Sequence, residues 1–138
     1  MALPFVGRTG VWFPTDAMTA SEAATFAQRV EALGYSALWL PETVGRDPFA
    51  HIAFLATETS SLTFATGIAN IFNRHPGVMG QAANTLAEQT GGRFVLGLGV
   101  SHAPIVAGVR HLDYSKPLQR MGEYLAAMDA SPYFARKP

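Results

Sequence analysis

The sequence of 138 residues contains no cysteine and carries little charge. Without cysteine the chain has no disulfide, no thiolate metal site and no cysteine nucleophile, which fits a cytoplasmic protein. Charged residues make up 14% of the chain, against about 25% in a typical globular domain. Lys+Arg and Asp+Glu each count 10, and no basic run or stripe is present. We therefore expect no nucleic-acid partner, because phosphate binding requires clustered Lys and Arg.

Long apolar runs and a leader pattern are also missing. No stretch approaches the ~20 apolar residues that a membrane-spanning helix needs, so no membrane partner is expected. Residues 1–8 lack a basic region followed by a sustained apolar stretch, and a secretory signal is not expected. No His, Asp and Glu cluster has metal-site spacing, so we expect no metal. Apolar residues nevertheless make up 49% of the chain. We expect a second chain or further sequence to cover part of that surface.

Short apolar runs alternate with longer amphipathic stretches, with a period of roughly 30 residues, the size of a βαβ step. The expected strands are residues 9–13, 36–40, 62–68 and 94–100. The expected helices are residues 19–34, 48–59 and 76–89, and a fourth helix that Ser115 caps and whose inner face carries Leu118, Met121, Leu125 and Met128. Continuous apolar strands between helices are typical of a parallel sheet that is buried on both faces.

Two α/β architectures fit these four strand–helix units, which form a single domain over residues 1–138. One is an open, doubly wound sheet of the flavodoxin type, which a fifth strand within residues 103–114 would support. The other is the N-terminal half of a TIM-type (β/α)8 barrel, for which ~250 residues are typical. A half barrel leaves two strand edges unpaired, and unpaired edges favour association. Periodicity alone leaves both architectures open.

Polar residues that could carry chemistry follow the expected strands, at the carboxyl ends where both architectures place function. Glu42, Asn70 and His102 follow the second, third and fourth strands, so we expect them on one rim. Glu42 is either an acid–base group or a polar anchor, and His102 can exchange a proton near neutral pH. Each also has a structural interpretation, as a loop carboxylate, a turn amide or an exposed loop histidine. Asn73 and Arg74 suit an anion site or a helix cap equally well.

Aromatic residues and glycines near the strand ends are further candidates. Trp12, Trp39 and Phe72 can wall a planar cofactor, although Trp39 lies within a strand and is expected in the core. Gly97 and Gly99 begin like a dinucleotide fingerprint, but the third glycine is missing and the segment lies within a strand. We therefore interpret these glycines as points of close backbone approach.

Four segments, taken together in order and spacing, resemble luciferase-like monooxygenases. They are residues 34–42 (GYSALWLPE), 65–70 (ATGIAN), 75–86 (HPGVMGQAANTL) and 93–102 (RFVLGLGVSH), and the likeness extends over about residues 10–138. It is greatest to the branch that uses the deazaflavin coenzyme F420, a branch found largely in actinobacteria. The resemblance implies a (β/α)8 barrel and hydride transfer at the deazaflavin C5 to or from a small organic substrate. FMN is the alternative cofactor, because oxygen chemistry requires a true flavin.

The resemblance also implies a set of site residues. In this family the third strand often ends in a bulge with a non-prolyl cis peptide behind the deazaflavin ring, a position that Gly67 and Ile68 occupy here. The implied catalytic residues are Glu42 and His102, where the family can have Glu in place of His102. The implied cofactor-binding residues are Gly67, Ile68, Asn70, Val100 and Ser101.

Length is the main departure from the family. Members have eight strand–helix units and usually hold the cofactor phosphates with late loops near strands seven and eight. We therefore expect this chain to be a fragment, a truncated reading frame, or a half barrel that associates with itself or with a partner. On its own it is expected to bind the cofactor weakly.

Overall fold

A computed structural model describes residues 7–136 and 138. This part of the chain contains six strands, β1 (Gly10–Trp12), β2 (Ala37–Leu40), β3 (Thr63–Thr66), β4 (Ala69–Asn70), β5 (Phe94–Val95) and β6 (Leu98–Gly99). Its α-helices are α1 (Ala20–Ala32), α2 (Pro48–Thr57), α3 (Pro76–Gln89) and α4 (Pro117–Asp129). A 3₁₀ turn over Ile71–Asn73 follows β4, and a π-helical segment over Pro104–Val109 follows β6.

The strands form a parallel sheet whose order follows the sequence. β1 pairs with β2, β2 with β3 and β3 with β5, and beyond a break β4 pairs with β6 in the same direction. A doubly wound sheet instead reverses its strand order at a switch point. The segment 103–114 contains π-helical turns where the flavodoxin-type alternative needed a fifth strand. The sequential order therefore contradicts that alternative.

The helix ends lie where the sequence patterns place them. Thr19 and Glu22 form a capping box at the start of α1, and the Asp47 carboxylate accepts hydrogen bonds from two backbone N–H groups in the first turn of α2. Gly34 follows α1 with a φ of +82°, a conformation that glycine adopts without a Cβ clash. The helices predicted over residues 19–34 and 48–59 are therefore confirmed, each ending two residues earlier than predicted.

The two faces of the sheet have different partners. One register row, Val11, Leu38, Phe64 and Phe94, packs into the hydrophobic core with the helices. Successive strand residues point to opposite faces, so the adjacent row points away from the helices. We call this side of the sheet the inner face; its row is Trp12, Trp39, Ala65 and Val95.

The start of α4 differs from the prediction. The helix begins at Pro117, and Ser115 does not cap it. The backbone N–H and the hydroxyl of Ser115 instead donate to the two carboxylate oxygens of Asp113, at 2.8 and 2.7 Å. The serine is therefore used in a turn before the helix, which is the competing use that short polar side chains have near helix starts.

The inner face predicted for α4 is wrong in part. Met121 and Met128 pack against the core, but Leu118 is 86% exposed and Leu125 is 40% exposed. Tyr124 is the buried residue of the helix, and its hydroxyl donates to the main-chain carbonyl of Arg74 at 2.9 Å. Burying Tyr124 turns the helix so that the two leucines face outward.

Candidate functional site

The parallel ladder is interrupted beside the expected cofactor site. The Gly67–Ile68 peptide bond is cis, as the resemblance implies. The Thr66 hydroxyl donates to the carbonyl of Gly97 at 2.8 Å and accepts from the N–H of Gly97 at 2.9 Å. One side chain thus takes the place of main-chain ladder bonds between neighbouring strands. The predicted continuous strands 62–68 and 94–100 are corrected accordingly: each is split in two.

Gly97 and Gly99 lie at points of close backbone approach, as interpreted from the sequence. A Cβ on Gly97 would overlap the carbonyl oxygen of Thr66, and a Cβ on Gly99 would lie 2.7 Å from Cγ1 of Ile68. No real Cβ contact is that short, so only glycine fits both positions. The missing side chains let the strand approach Thr66 and Ile68 directly.

The inner face carries two indoles next to glycines. Trp12 is 58% exposed, and its Nε1 donates to the carbonyl of Gly67 at 2.6 Å. A Cβ on Gly67 would lie 3.0 Å from Cδ1 of Trp12, and a Cβ on Gly10 would lie 3.1 Å from Nε1 of Trp39. Glycine at these positions makes room for the indoles. Trp39 is only half-buried, so the expectation that it lies in the core is met in part.

Glu42 is buried at the end of β2, and both of its carboxylate oxygens have partners. Oε2 accepts from the backbone N–H of Asn70 and from Nη1 of Arg74, each at 2.8 Å, and Oε1 lies 2.7 Å from the same Nη1. The structure therefore brings Glu42 and Asn70 together, as expected. The carboxylate links the end of β2 to the end of β4. Its catalytic role stays a prediction.

Arg74 connects several loops of the rim and is the residue whose role the sequence left open. Its second guanidinium nitrogen pairs with the carboxylate of Asp47, and its Cζ lies 4.6 Å from the ring centroid of Phe49. Burial acts to lower the pKa of Arg74, but the hydrogen bonds to Asp47 and Glu42 outweigh it and raise the pKa. Arg74 is therefore held charged. The signal in the sequence was its place in the segment that follows the third predicted strand.

Asp47 serves the same network from the start of α2. Burial acts to raise its pKa, but the backbone N–H of Ala50, the Arg74 guanidinium and the backbone N–H of Phe49 together lower the pKa below its ordinary value. The cap that begins α2 is thus also an anchor for Arg74. The Asp47 carboxylate therefore joins the start of α2 to the rim.

Asn70 combines a structural contact with an unused donor. Its Oδ1 accepts from the backbone N–H of Phe72 at 3.0 Å, which confirms the turn interpretation. The residue is fully buried, and within the part of the chain that the structure describes its Nδ2 has no hydrogen-bond partner. A buried donor without a partner costs about 1–3 kcal/mol. A ligand acceptor at this point would remove that cost.

The loop after β6 holds two further residues of the predicted site. Val100 is partly exposed, and Ser101 adopts a left-handed φ of 56°. The main-chain carbonyl of Ser101 accepts from the hydroxyl of Tyr114 at 2.8 Å. The tyrosine thereby fixes a backbone conformation that few residues other than glycine adopt.

His102 lies in the same loop with an exposed side chain. Over residues 7–136, no hydrogen bond joins the His102 side chain to Glu42 or to Asn70. A later residue of the same connection, Arg110, makes a contact beside the end of β2: its Nη2 donates to the carbonyl of Thr43 at 3.0 Å. Within the described residues, a hydrogen bond therefore joins two of the three predicted rim residues, Glu42 and Asn70, and none joins His102 to them.

A polar cleft of about 240 Å³ lies at this rim and is bordered by Glu42, Asn73 and Arg110. Among residues 7–136 and 138, no three His, Asp or Glu side chains form a group that could hold a metal ion. No helix of the described chain is both long enough and apolar enough to cross a bilayer.

These features fit a planar heterocyclic cofactor. Asn70 offers a buried donor for a ring acceptor, and Trp12 offers an open aromatic face beside Gly67. The glycines on the inner face keep the space beside the indoles free of side chains. Within the described residues, the lining combines a free amide donor with aromatic and main-chain surface, as is typical of a site for a largely apolar ring.

Comparison with known proteins identifies relatives of similar sequence. The profile of a family described as luciferase-like monooxygenase matches residues 4–131. A protein named putative coenzyme F420-dependent oxidoreductase, from Mycobacterium tuberculosis, is 31% identical over 102 residues, which cover 74% of this chain and 29% of that protein. A 5,10-methylenetetrahydromethanopterin reductase of Methanolobus tindarius is 27% identical over 106 residues, which are 76% of this chain and 32% of the relative. The chain therefore spans less than a third of the length of either relative.

A solved structure shows the same fold over most of the chain. The coenzyme F420-dependent tetrahydromethanopterin reductase of Methanopyrus kandleri superposes with a TM-score of 0.76 at 19% identity, over 86% of this chain and 38% of that one. The likeness confirms the fold class expected from the sequence, four parallel strand–helix units of a TIM-type (β/α)8 barrel.

Proposed function

The chain belongs to the luciferase-like monooxygenase family, and we propose that it builds the ring-binding strands of an oxidoreductase that transfers hydride between coenzyme F420 and a small organic substrate. The observation that carries the proposal is the end of the third strand. There Asn70, three residues after Gly67, is buried with an Nδ2 that has no hydrogen-bond partner among the described residues, and the carbonyl of Gly67 accepts a hydrogen bond from the exposed Trp12.

The choice of cofactor is supported by the names of similar proteins. A relative named as a putative F420-dependent oxidoreductase and a structural neighbour named as an F420-dependent reductase favour F420. FMN is the alternative, because a Baeyer–Villiger monooxygenase from Pseudomonas putida, solved in complex with FMN, superposes with a TM-score of 0.76 at 20% identity, over 98% of this chain and 42% of that one. We propose F420 as the cofactor of this chain.

The residues proposed to hold the ring are those implied by the resemblance. The main chain of Gly67 and Ile68 backs the ring, Nδ2 of Asn70 donates to a ring acceptor, and Val100 and Ser101 border it from the loop after β6. When bound, F420 supplies the carbon that accepts or gives up the hydride. The chain's own contribution is to bind the ring and to orient it.

Two side chains are proposed to support the reaction in different ways. His102, exposed in the loop after β6, supplies or takes a proton, the role that histidine most often has in acid–base catalysis. The Glu42 carboxylate already contacts the Asn70 N–H and Arg74 through its two oxygens. We therefore propose that Glu42 positions the main chain of Asn70 for the cofactor, rather than exchanging a proton itself.

Equilibrium titration with F420, followed by the fluorescence of the cofactor, tests the proposed site. Asn70→Asp keeps the oxygen that bonds Phe72 and removes the donor, and Asn70→Ala removes both the oxygen and the donor without adding charge. Losing this hydrogen bond should weaken binding about tenfold. Asn84→Ala is the matched control, because the Asn84 amide donates to Gly80 within α3. Unchanged affinity in both Asn70 variants would contradict the proposed site.

A second candidate function is a non-catalytic half barrel that associates through its strand edges. The observation that favours it is that, among the described residues, β1 and β5 each pair on one side only. The proposed occupants of these edges are further strand–helix units or a second copy of the chain. Light scattering on the purified chain distinguishes the candidates. A stable dimer that binds no cofactor supports the second function, and a chain that binds F420 supports the first.

A further inference from the structure

Trp12 stands at a position where a ligand ring would meet the sheet. It is the last residue of β1 and therefore lies at the carboxyl end of the strand. Phe13, the next residue, points toward α1, where its ring centroid lies 5.1 Å from that of Phe26. Trp12 consequently points to the inner face, on the side of Gly67.

The indole of Trp12 is fixed in place although it is exposed. Its only polar atom, Nε1, donates to the carbonyl of Gly67 at 2.6 Å, and its Cδ1 lies against the open side of Gly67. The one hydrogen-bond donor of the indole is therefore paired, while more than half of the residue stays accessible to solvent. An aromatic face held rigidly before binding loses little conformational entropy when a ligand stacks on it.

Trp39 provides an internal comparison. It is the register partner of Trp12 on the inner face, but it is half-buried and fills the space that Gly10 leaves. Trp39 therefore acts as packing between strands. Trp12 lies on the edge strand β1 and is open on the inner face, so a ring bound beside Gly67 can reach its indole.

We propose that Trp12 is a wall of the ring site and stacks on the planar heteroaromatic ring bound beside Gly67 and Ile68. This inference rests on the proposed function, because it names a further binding residue of the same site. The hydrogen bond from Nε1 fixes the orientation of the indole, and the exposed face of the indole contacts the bound ring. Offset stacking of aromatic rings is the arrangement that such a pair favours.

Substitution at Trp12 tests the wall through cofactor affinity. Trp12→Leu removes the aromatic face and should weaken F420 binding by about tenfold, and Trp12→Phe keeps a smaller face and should weaken it by about threefold. Phe13→Leu is the matched control, because Phe13 is the next residue along the chain and its ring packs against Phe26 of α1. Dissociation constants are measured from the absorbance of F420, and circular dichroism checks that each variant folds.

A second measurement keeps the inference testable if Trp12→Leu fails to fold. The chain has two tryptophans, so Trp39→Phe leaves Trp12 as the only one. Saturating F420 should protect Trp12 from acrylamide quenching at least twofold if the ring stacks on it. Wild-type affinity in Trp12→Leu, or no protection of Trp12 while F420 is bound, overturns the inference and leaves the proposed function standing. A chain that binds neither F420 nor FMN overturns both.

Discussion

The Glu42 carboxylate and the Arg74 guanidinium meet at 2.7 Å, and the two side chains are only 6% and 13% exposed. This ion pair joins the end of β2 to the loop that leads into α3. Asp47 extends it to α2, and the carbonyl of Arg74 extends it to Tyr124 of α4. The position of Asn70 depends directly on this ion pair, because the Glu42 carboxylate accepts a hydrogen bond from the backbone N–H of Asn70.

Removing the cation should be more harmful than removing the whole pair. Arg74→Met leaves the Glu42 carboxylate buried without its charged partner, and breaking a buried pair in this way costs about 3–5 kcal/mol. Glu42→Gln combined with Arg74→Met should recover part of that loss, since no buried charge is left over. Urea unfolding of the two single variants and the double variant gives the coupling energy. Additive losses would contradict a direct interaction between the two side chains.

Thr66→Val tests the side-chain bridge at the break in the ladder. The substitution keeps the shape of the residue but leaves the N–H and carbonyl of Gly97 without the hydroxyl, which should cost about 1–3 kcal/mol. Thr85→Val is the control, because the Thr85 hydroxyl bonds only the carbonyl of Gln81 on the exposed side of α3. Equal losses for the two variants would show that the Thr66 hydroxyl has no special role.

Gly97→Ala and Gly122→Ala should change stability in opposite directions. A methyl group at residue 97 would overlap the carbonyl oxygen of Thr66, so we expect a loss of about 3 kcal/mol. A methyl group at Gly122, in α4, meets nothing within 4 Å. It should stabilise the helix by about 0.5–1 kcal/mol. Thermal unfolding of both variants checks the pair, and a neutral result at residue 97 would mean that the strands do not approach as closely as described.

The buried imidazole of His51 should make the fold less stable in mild acid. Burial first, and then the charge of Arg46, lower the pKa of His51 below 6.5, while Asp16 opposes the shift. As pH falls below 6.5, the unfolded chain takes up a proton that the folded chain resists, so stability decreases; above 6.5 the imidazole is neutral in both states.

Urea unfolding between pH 7 and pH 5 measures this effect, and His51→Gln should flatten the slope. The carboxylates of Asp47 and Glu31 add little to the slope in this range, because the stability they contribute is lost mainly as pH falls below their ordinary pKa values of 3.8 and 4.5. The same slope in the wild type and in His51→Gln would contradict the assignment.

The repeating strand–helix pattern made the fold predictable, because caps such as Thr19 and Asp47 and the stop at Gly34 are local signals. The break at Thr66 was not predictable, since it depends on a contact with Gly97 in another strand. The buried face of α4 was predicted incorrectly for the same reason. Tyr124 is buried where its hydroxyl donates to the carbonyl of Arg74, a residue 50 positions away in the sequence.

The candidate site could be predicted only in part. Strand ends correctly placed Glu42 and Asn70 together, because parallel strands bring their carboxyl ends to one rim. The partner of Glu42 is a long side chain that reaches back from a later loop, and no sequence spacing encodes that reach. The placement of the Trp12 indole likewise depends on a distant residue, since a Cβ at Gly67 would lie 3.0 Å from its Cδ1.

Titration of the purified chain with F420 and, in parallel, with FMN tests the central claim most directly. The claim is that the strand ends around Gly67 and Asn70 already form a site for the deazaflavin ring. It predicts saturable binding of F420 with higher affinity than FMN, followed by cofactor fluorescence. Saturable binding of FMN alone, or no binding of either cofactor, would contradict it.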